Sequence, residues 1–326
     1  MGTLENRRKL TAVRGMGAAL VGFAGWIVLY VVFGLIEPNI FTTNNMLNLL
    51  RSMAKYLLVG VGQGVILITG NIDLSIGSVV AMSAMISATM MSHGTAAIVA
   101  VCAAIVCCLA VGVINGLLVG KFKLPPFIAT LGTQTIIYGI SLVFTDAQPI
   151  GGFQESYNNL INGCIGDPKG FYLPYLLFVA VIFGLFFWFL YNNTCHGKYM
   201  YAIGGNEIAA EVSGVNTKKA KILIYMTAGI MYAMAGYLLA AKSGGASASM
   251  GNGYELEAIA GCTIGGVSTT GGIGTIGGVL VGVLVFEFLK IVLQFLGVNP
   301  YYNYMVQGIV IVTAVALDIR KYIAKK

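Results

Sequence analysis

Gly70-Asn71-Ile72-Asp73-Leu74-Ser75-Ile76-Gly77-Ser78 sets an acid, an amide and two hydroxyls between apolar runs long enough to cross a bilayer. A carboxylate at that depth costs a few kcal/mol or more unless it has partners, so Asp73 needs a structural or transport reason to stand there. A near-counterpart, Gly251-Asn252-Gly253-Tyr254-Glu255-Leu256-Glu257-Ala258-Ile259-Ala260, follows in the second half of the chain, again between apolar runs. One acidic break per half of a polytopic chain is the pattern of transporters built from repeats.

Composition agrees. The 326 residues are 57% hydrophobic and 10% charged, with a mean hydropathy of +0.85, whereas soluble domains carry roughly 25% charged residues. The chain therefore reads as an integral membrane protein, and its 44 glycines suit helices packed through small residues. The net charge of +7 gathers at the two termini and in one central loop. That is the positive-inside bias of a membrane protein rather than a nucleic-acid footprint. Cys102, Cys107, Cys108 and Cys262 lie in apolar runs, where Cys is usually a small buried hydrophobe. Cys164 and Cys195 fall in loops assigned to opposite sides, and His93 and His196 stand alone at span edges without metal spacing.

Spans need about 20 apolar residues each. Reading for them gives 16–36, 56–69, 75–92, 96–119, 126–145, 173–191, 222–241, 256–268, 274–296 and 302–319, an all-α polytopic chain of about ten transmembrane helices. The two short ones flank the polar breaks and read as broken or tilted helices. Arg7, Arg8, Lys9 and Arg14 precede the first run, which has span length and no small-residue cleavage site, so it reads as a membrane helix and not a signal. Residues 1–326 form a single transmembrane domain with a cytoplasmic N-terminus (1–15), a cytoplasmic loop (192–221) and a basic cytoplasmic tail (320–326). Arg51 and Lys55 fall outside by parity, and are assigned to an interfacial helix on which Met46, Leu47, Leu49, Leu50 and Met53 recur at helical spacing. Aligning the acidic breaks also aligns Lys123-Leu124-Pro125-Pro126-Phe127 with Val298-Asn299-Pro300-Tyr301-Tyr302. Spans two to five and seven to ten then form an inverted repeat.

The central loop, Gly204-Gly205-Asn206-Glu207-Ile208-Ala209-Ala210-Glu211-Val212-Ser213-Gly214-Val215-Asn216, reads as a short helix stopped by Gly214. Its bland reading is an ordinary cytoplasmic connector. Glu207, Ala209 and Ala210, with Gly214 behind them, resemble the coupling helix of ATP-binding-cassette permeases, which docks into a groove on the ATPase subunit.

The resemblance extends along the chain. Asn71 to Ser78, Pro126-Phe127-Ile128-Ala129-Thr130-Leu131-Gly132-Thr133, Ala202-Ile203-Gly204-Gly205-Asn206 with Ser213-Gly214-Val215-Asn216, and Tyr254 to Ala260 followed by Gly265-Gly266-Val267-Ser268 and Gly271-Gly272 occur in this order. So arranged, they resemble the membrane subunit of ribose/galactose-type ABC sugar importers. The Gly297-Val298-Asn299-Pro300-Tyr301 turn and the basic tail look most like those of galactose and methyl-galactoside permeases. One departure is Gly70-Asn71, where the family commonly has Gly-Gly or Gly-Thr. The resemblance implies a type II (vitamin B12-type) permease fold and a homodimer in a bacterial inner membrane. It also implies a separate ATPase subunit carrying ATP and Mg, and a periplasmic or lipid-anchored substrate-binding protein. No cofactor is expected on this chain, because Gly116-Leu117-Leu118-Val119-Gly120-Lys121-Phe122 lacks the spacing and final Ser/Thr of a P-loop.

Asn71, Asp73, Ser75, Glu255 and Glu257 are the candidate pathway or helix-break residues, and no catalytic or metal site is expected. Asp73 and Glu255 admit three roles: accepting backbone N–H bonds at re-entrant helix ends, lining the permeation path, or relaying protons. Tyr301, Tyr302 and Tyr304 fit an interfacial aromatic belt or sugar stacking at the outer mouth. A monosaccharide importer is the main expectation. Nucleoside, inositol or furanose-signal importers are alternatives within the family, and a proton-coupled secondary transporter resting on Asp73, Glu255, Glu257 and Glu287 is the alternative outside it.

Overall fold

Apolar runs punctuated by Pro and Gly form helices throughout. The computed structural model describes residues 23–152, 163–166, 172–299 and 301–323. The expected cytoplasmic N-terminus at 1–15 and the last residues of the tail lie outside them. The helices are α1 (Phe23–Ile36), α2 (Thr43–Ile68), α3 (Ile76–Ser92), α4 (Ala97–Gly120), α5 (Pro126–Phe144), α6 (Tyr175–Asn193), α7 (Cys195–Gly205), α8 (Glu207–Val212), α9 (Thr217–Ser243), α10 (Tyr254–Ile264), α11 (Ile276–Phe295) and α12 (Tyr302–Ile323). Two small antiparallel ribbons complete the chain: β1 (Ile150–Gly151) pairs with β4 (Gly245–Ala246), and β2 (Cys164–Gly166) with β3 (Tyr172–Pro174).

Among the described residues, five helices are long and apolar enough to cross a membrane: α4, α5, α6, α9 and α11. They are not equivalent. The apolar window of α9 is 72% buried, against 22–28% for α4, α5 and α6, so α9 is the axis of the bundle and the other three turn apolar faces outward. α9 packs against α2, α3 and α4. Its contact with α4 is closed by Gly112-xxx-Gly116, where a Cβ would press on the backbone of Tyr225 or Ile222.

Three expectations change. The interfacial helix carrying Arg51 and Lys55 and the span at 56–69 are one continuous helix, α2, 26 residues long. Lys55 is buried inside the bundle, where its Nζ donates to the Tyr254 hydroxyl at 2.9 Å; a charge with internal partners does not end a membrane helix. The second concerns cysteine: Cys108 and Cys262 are buried, but Cys102 and Cys107 are exposed on the outward face of α4. The short run at 256–268 is an 11-residue helix, α10, too short to span a bilayer.

Candidate functional site

After α2 the chain turns at Gly70, whose φ of +73° suits a residue without Cβ, and runs as non-helical backbone to Ser75. Irregular backbone inside a membrane bundle needs internal partners, and this stretch has them. Tyr225 donates its hydroxyl to Ile72 O at 3.1 Å, and Leu74 N–H donates to Thr130 Oγ1 at 3.0 Å. Asp73 is buried, and its Oδ1 accepts from both the backbone N–H and the hydroxyl of Ser75, at 2.8 and 2.6 Å. Asn115 on α4 donates to the same hydroxyl at 2.9 Å. Asn71 turns back to Thr69, donating to its carbonyl and hydroxyl oxygens. The space among Asp73, Ser75, Asn115, Tyr225 and Tyr232 has no room for a water molecule.

The second break meets the first. Gly77, in the first turn of α3, lies against Gly251 just before α10; a Cβ on Gly77 would fall 2.5 Å from Gly251 O and 2.7 Å from Glu255 Oε2. Two helix N-termini, each carrying about half a positive charge, thus converge inside the bundle. Asp73 stands at one and Glu255 at the other. Each carboxylate lies at the positive end of its own helix dipole, a favourable place for a negative charge, and Asp73 also takes the Ser75 N–H. Glu255 Oε2 is buried with no hydrogen-bond partner among the described residues.

Glu257 belongs to a different cluster. Lys290 on α11 reaches Glu257 Oε1 at 2.9 Å, Glu287 Oε2 at 3.2 Å and the Tyr56 hydroxyl at 3.2 Å. The Tyr56 and Tyr254 rings lie 4.9 Å apart, with Lys55 Nζ 4.7 Å from the Tyr56 centroid. Lys242 donates to Ser52 Oγ nearby. The sequence reading named the acids of this cluster and set Lys55 on an interfacial helix, but named neither Lys290 nor Lys242. The i,i+3 spacing of Glu287 and Lys290 was the one local signal; the partners on α2, α9 and α10 are distant in sequence.

At the other end of the bundle the loop at 192–221 folds as α7, α8 and the start of α9. α8 spans six residues, Glu207–Val212, and is capped by Asn206, whose Oδ1 accepts from Ala209 N–H at 2.9 Å. Gly214 follows with φ +88°, a left-handed stop. Glu207 pairs with Lys221 of α9 at 2.7 Å. Ala210 is buried against Ile203, Ala220 and Val215, while Ala209 is exposed, and Ile208 and Val212 are 77% and 85% exposed. A cleft of about 410 Å³ runs from α8 past Lys123 to Asn71, joining this loop to the first break. Gly204 presses on the end of α2 and on Gly272, which donates its N–H to Ile68 O at 2.8 Å.

The family described as branched-chain amino acid transport system / permease component matches residues 45–315. The chain is 40% identical over 320 residues to the galactose/methyl galactoside import permease of Haemophilus influenzae, covering 92% of this chain and 95% of that protein. It is 38% identical to the protein of that name in Escherichia coli, with the same shares covered. Against the ribose import permease of Bacillus subtilis it is 38% identical over 98% of both chains. No solved structure matches it.

Proposed function

This chain belongs to the branched-chain amino acid transport system / permease component family, and from that premise we propose that it is the membrane permease subunit of an ATP-binding-cassette importer for a monosaccharide of the galactose or ribose class. The observation that carries the reading is near-full-length similarity to import permeases for those sugars. Two copies would form the pathway between them in a bacterial inner membrane. About ten spans per copy, with spans two to five and seven to ten as an inverted repeat in the type II manner, would place α8 and the basic termini inside. The relatives are transport subunits, and hydrolysis falls to a separate ATPase subunit; a binding protein would deliver the sugar from outside. The test is sugar-stimulated ATPase activity and uptake by the assembled importer against a panel of galactose, ribose, inositol and nucleosides. Stimulation by galactose or ribose supports the reading, and stimulation by a nucleoside or inositol alone overturns it.

In this reading α8 is the coupling helix. Its exposed Ile208 and Val212, one turn apart, with Ala209 beside them, supply a small apolar face for the ATPase groove, and the Glu207–Lys221 pair ties that face to α9. Glu207→Lys sets two lysines together and should cut uptake several-fold. A bulky residue at Gly214, in a backbone conformation that L side chains rarely adopt, costs about 1 kcal/mol or more and should do the same. Membrane insertion should be unaffected in both. Wild-type uptake in both variants would remove α8 from the coupling role.

Conversely, the purified chain should bind no ATP without its ATPase partner, since its only P-loop-like stretch lacks the Ser/Thr and spacing. Equilibrium dialysis with labelled ATP checks this, and stoichiometric retention contradicts it.

A further inference from the structure

Beside the Lys290 cluster, the first turns of α10 and α12 and the C-terminal half of α11 enclose a cavity of about 200 Å³. That is roughly seven water volumes at about 30 Å³ each, enough for one sugar ring. Its wall is chemically mixed. Glu257 and Lys290 face it as an ion pair, Asn303 and Gln307 contribute amides, and Tyr301 and Tyr304 contribute phenol rings. Gln307 is itself buried and held in place by its Nε2 bond to Gly253 O at 3.3 Å. Lys290 satisfies Glu257 Oε1, but Glu257 Oε2 is buried without any partner among the described residues.

We propose that this cavity is a docking site for a neutral monosaccharide, in which Asn303 hydrogen-bonds the ring's edge, Tyr304 covers its apolar face and the Glu257–Lys290 pair supplies a polar wall. The inference rests on the importer reading above and adds to it the place where sugar meets this chain. Charge balance selects the ligand class. A cation would meet Lys290 and an anion Glu257, whereas a hydroxylated neutral ring meets donors, acceptors and flat aromatic surface at once. The Gly253–Gln307 bond ties the cavity wall to the second helix break.

The test uses the full chain, assembled with its ATPase, in phosphatidylcholine nanodiscs. Saturation-transfer NMR with D-galactose and with D-ribose should give a saturable signal for at least one sugar. Tyr304→Ala and Asn303→Ala should each weaken it about tenfold while the thermal unfolding of the complex stays unchanged. Galacturonate and galactosamine should give none. A signal that both variants leave unaltered overturns the site. So does sugar uptake by the same importer with no saturable signal, which leaves the importer reading standing; absence of uptake for every sugar overturns both. Occupancy seen only in discs containing phosphatidylglycerol assigns the cavity to a lipid headgroup and overturns it too.

Discussion

Gly204→Val is expected to leave little folded protein in the membrane. A Cβ at Gly204 would overlap Ile68 O and Gly272 N, both backbone atoms that cannot swing aside. Those two atoms are themselves joined by a hydrogen bond of 2.8 Å, so the substitution both overpacks the site and separates the bonded pair. Overpacking costs typically 1–3 kcal/mol, and a buried donor left unsatisfied about 1–3 kcal/mol more, against a total stability of about 5–15 kcal/mol. The control is next door: a Cβ at Gly205 has open space around it, so Gly205→Ala should behave as wild type. Yield of monodisperse protein after extraction and its unfolding temperature report the difference. Equal yields for Gly204→Val and Gly205→Ala would show that this junction is not rigid.

At Asp73 a ranking of variants is expected. Asp73→Asn keeps an oxygen for the Ser75 N–H and hydroxyl and should retain most uptake. Asp73→Ala leaves both donors unsatisfied and removes the negative charge at the start of α3, a loss of about 1–3 kcal/mol, seen as less folded protein in the membrane. Asp73→Leu adds bulk where there is no space even for water and should be worse. Glu255 should follow the same order more weakly, because its Oε2 accepts no bond among the described residues. Proton relay makes the opposite forecast, with Asn and Gln as inactive as Ala in fully assembled protein. Uptake and the yield of folded protein measured together separate the two, and inactive but fully folded Asp73→Asn would exclude the structural role.

The sequence showed the helices wherever hydropathy and punctuation coincide. The runs at 96–119, 126–145 and 274–296 correspond to α4, α5 and α11 within a residue or two, because Pro126 and the flanking glycines mark their ends. α2 was misread because Arg51 and Lys55 look water-facing when their partners are out of sight; Tyr254 lies 199 positions from Lys55. The helix breaks were visible as polar residues in apolar runs, and the extended backbone before α3 follows from them. Their meeting at Gly77 and Gly251 was not, since a glycine–glycine contact leaves no side-chain pattern. The pairing of the first break with Asn115, Thr130 and Tyr225 was equally silent, because each partner lies at least 40 positions from the residue it bonds. α8 was legible from Asn206 and Gly214, but the pairing of Glu207 with Lys221 inside the same chain was not.

The junctions at Gly77 with Gly251 and at Gly204 with Gly272 are contacts of main chain on main chain, and this bears on how such a protein can drift. A site built from side chains can be retuned by exchange, one residue growing as its neighbour shrinks. A site built from missing Cβ atoms has no smaller residue to offer. In a saturation screen these positions should stand as isolated intolerant columns, while Ile136, Val143 and Ile182, more than 60% exposed on the outward faces, accept almost any apolar residue. Descendants of this chain could then repaint most of their surface, and adapt to new membranes and new cargo, while the articulation between its helices stays as it is.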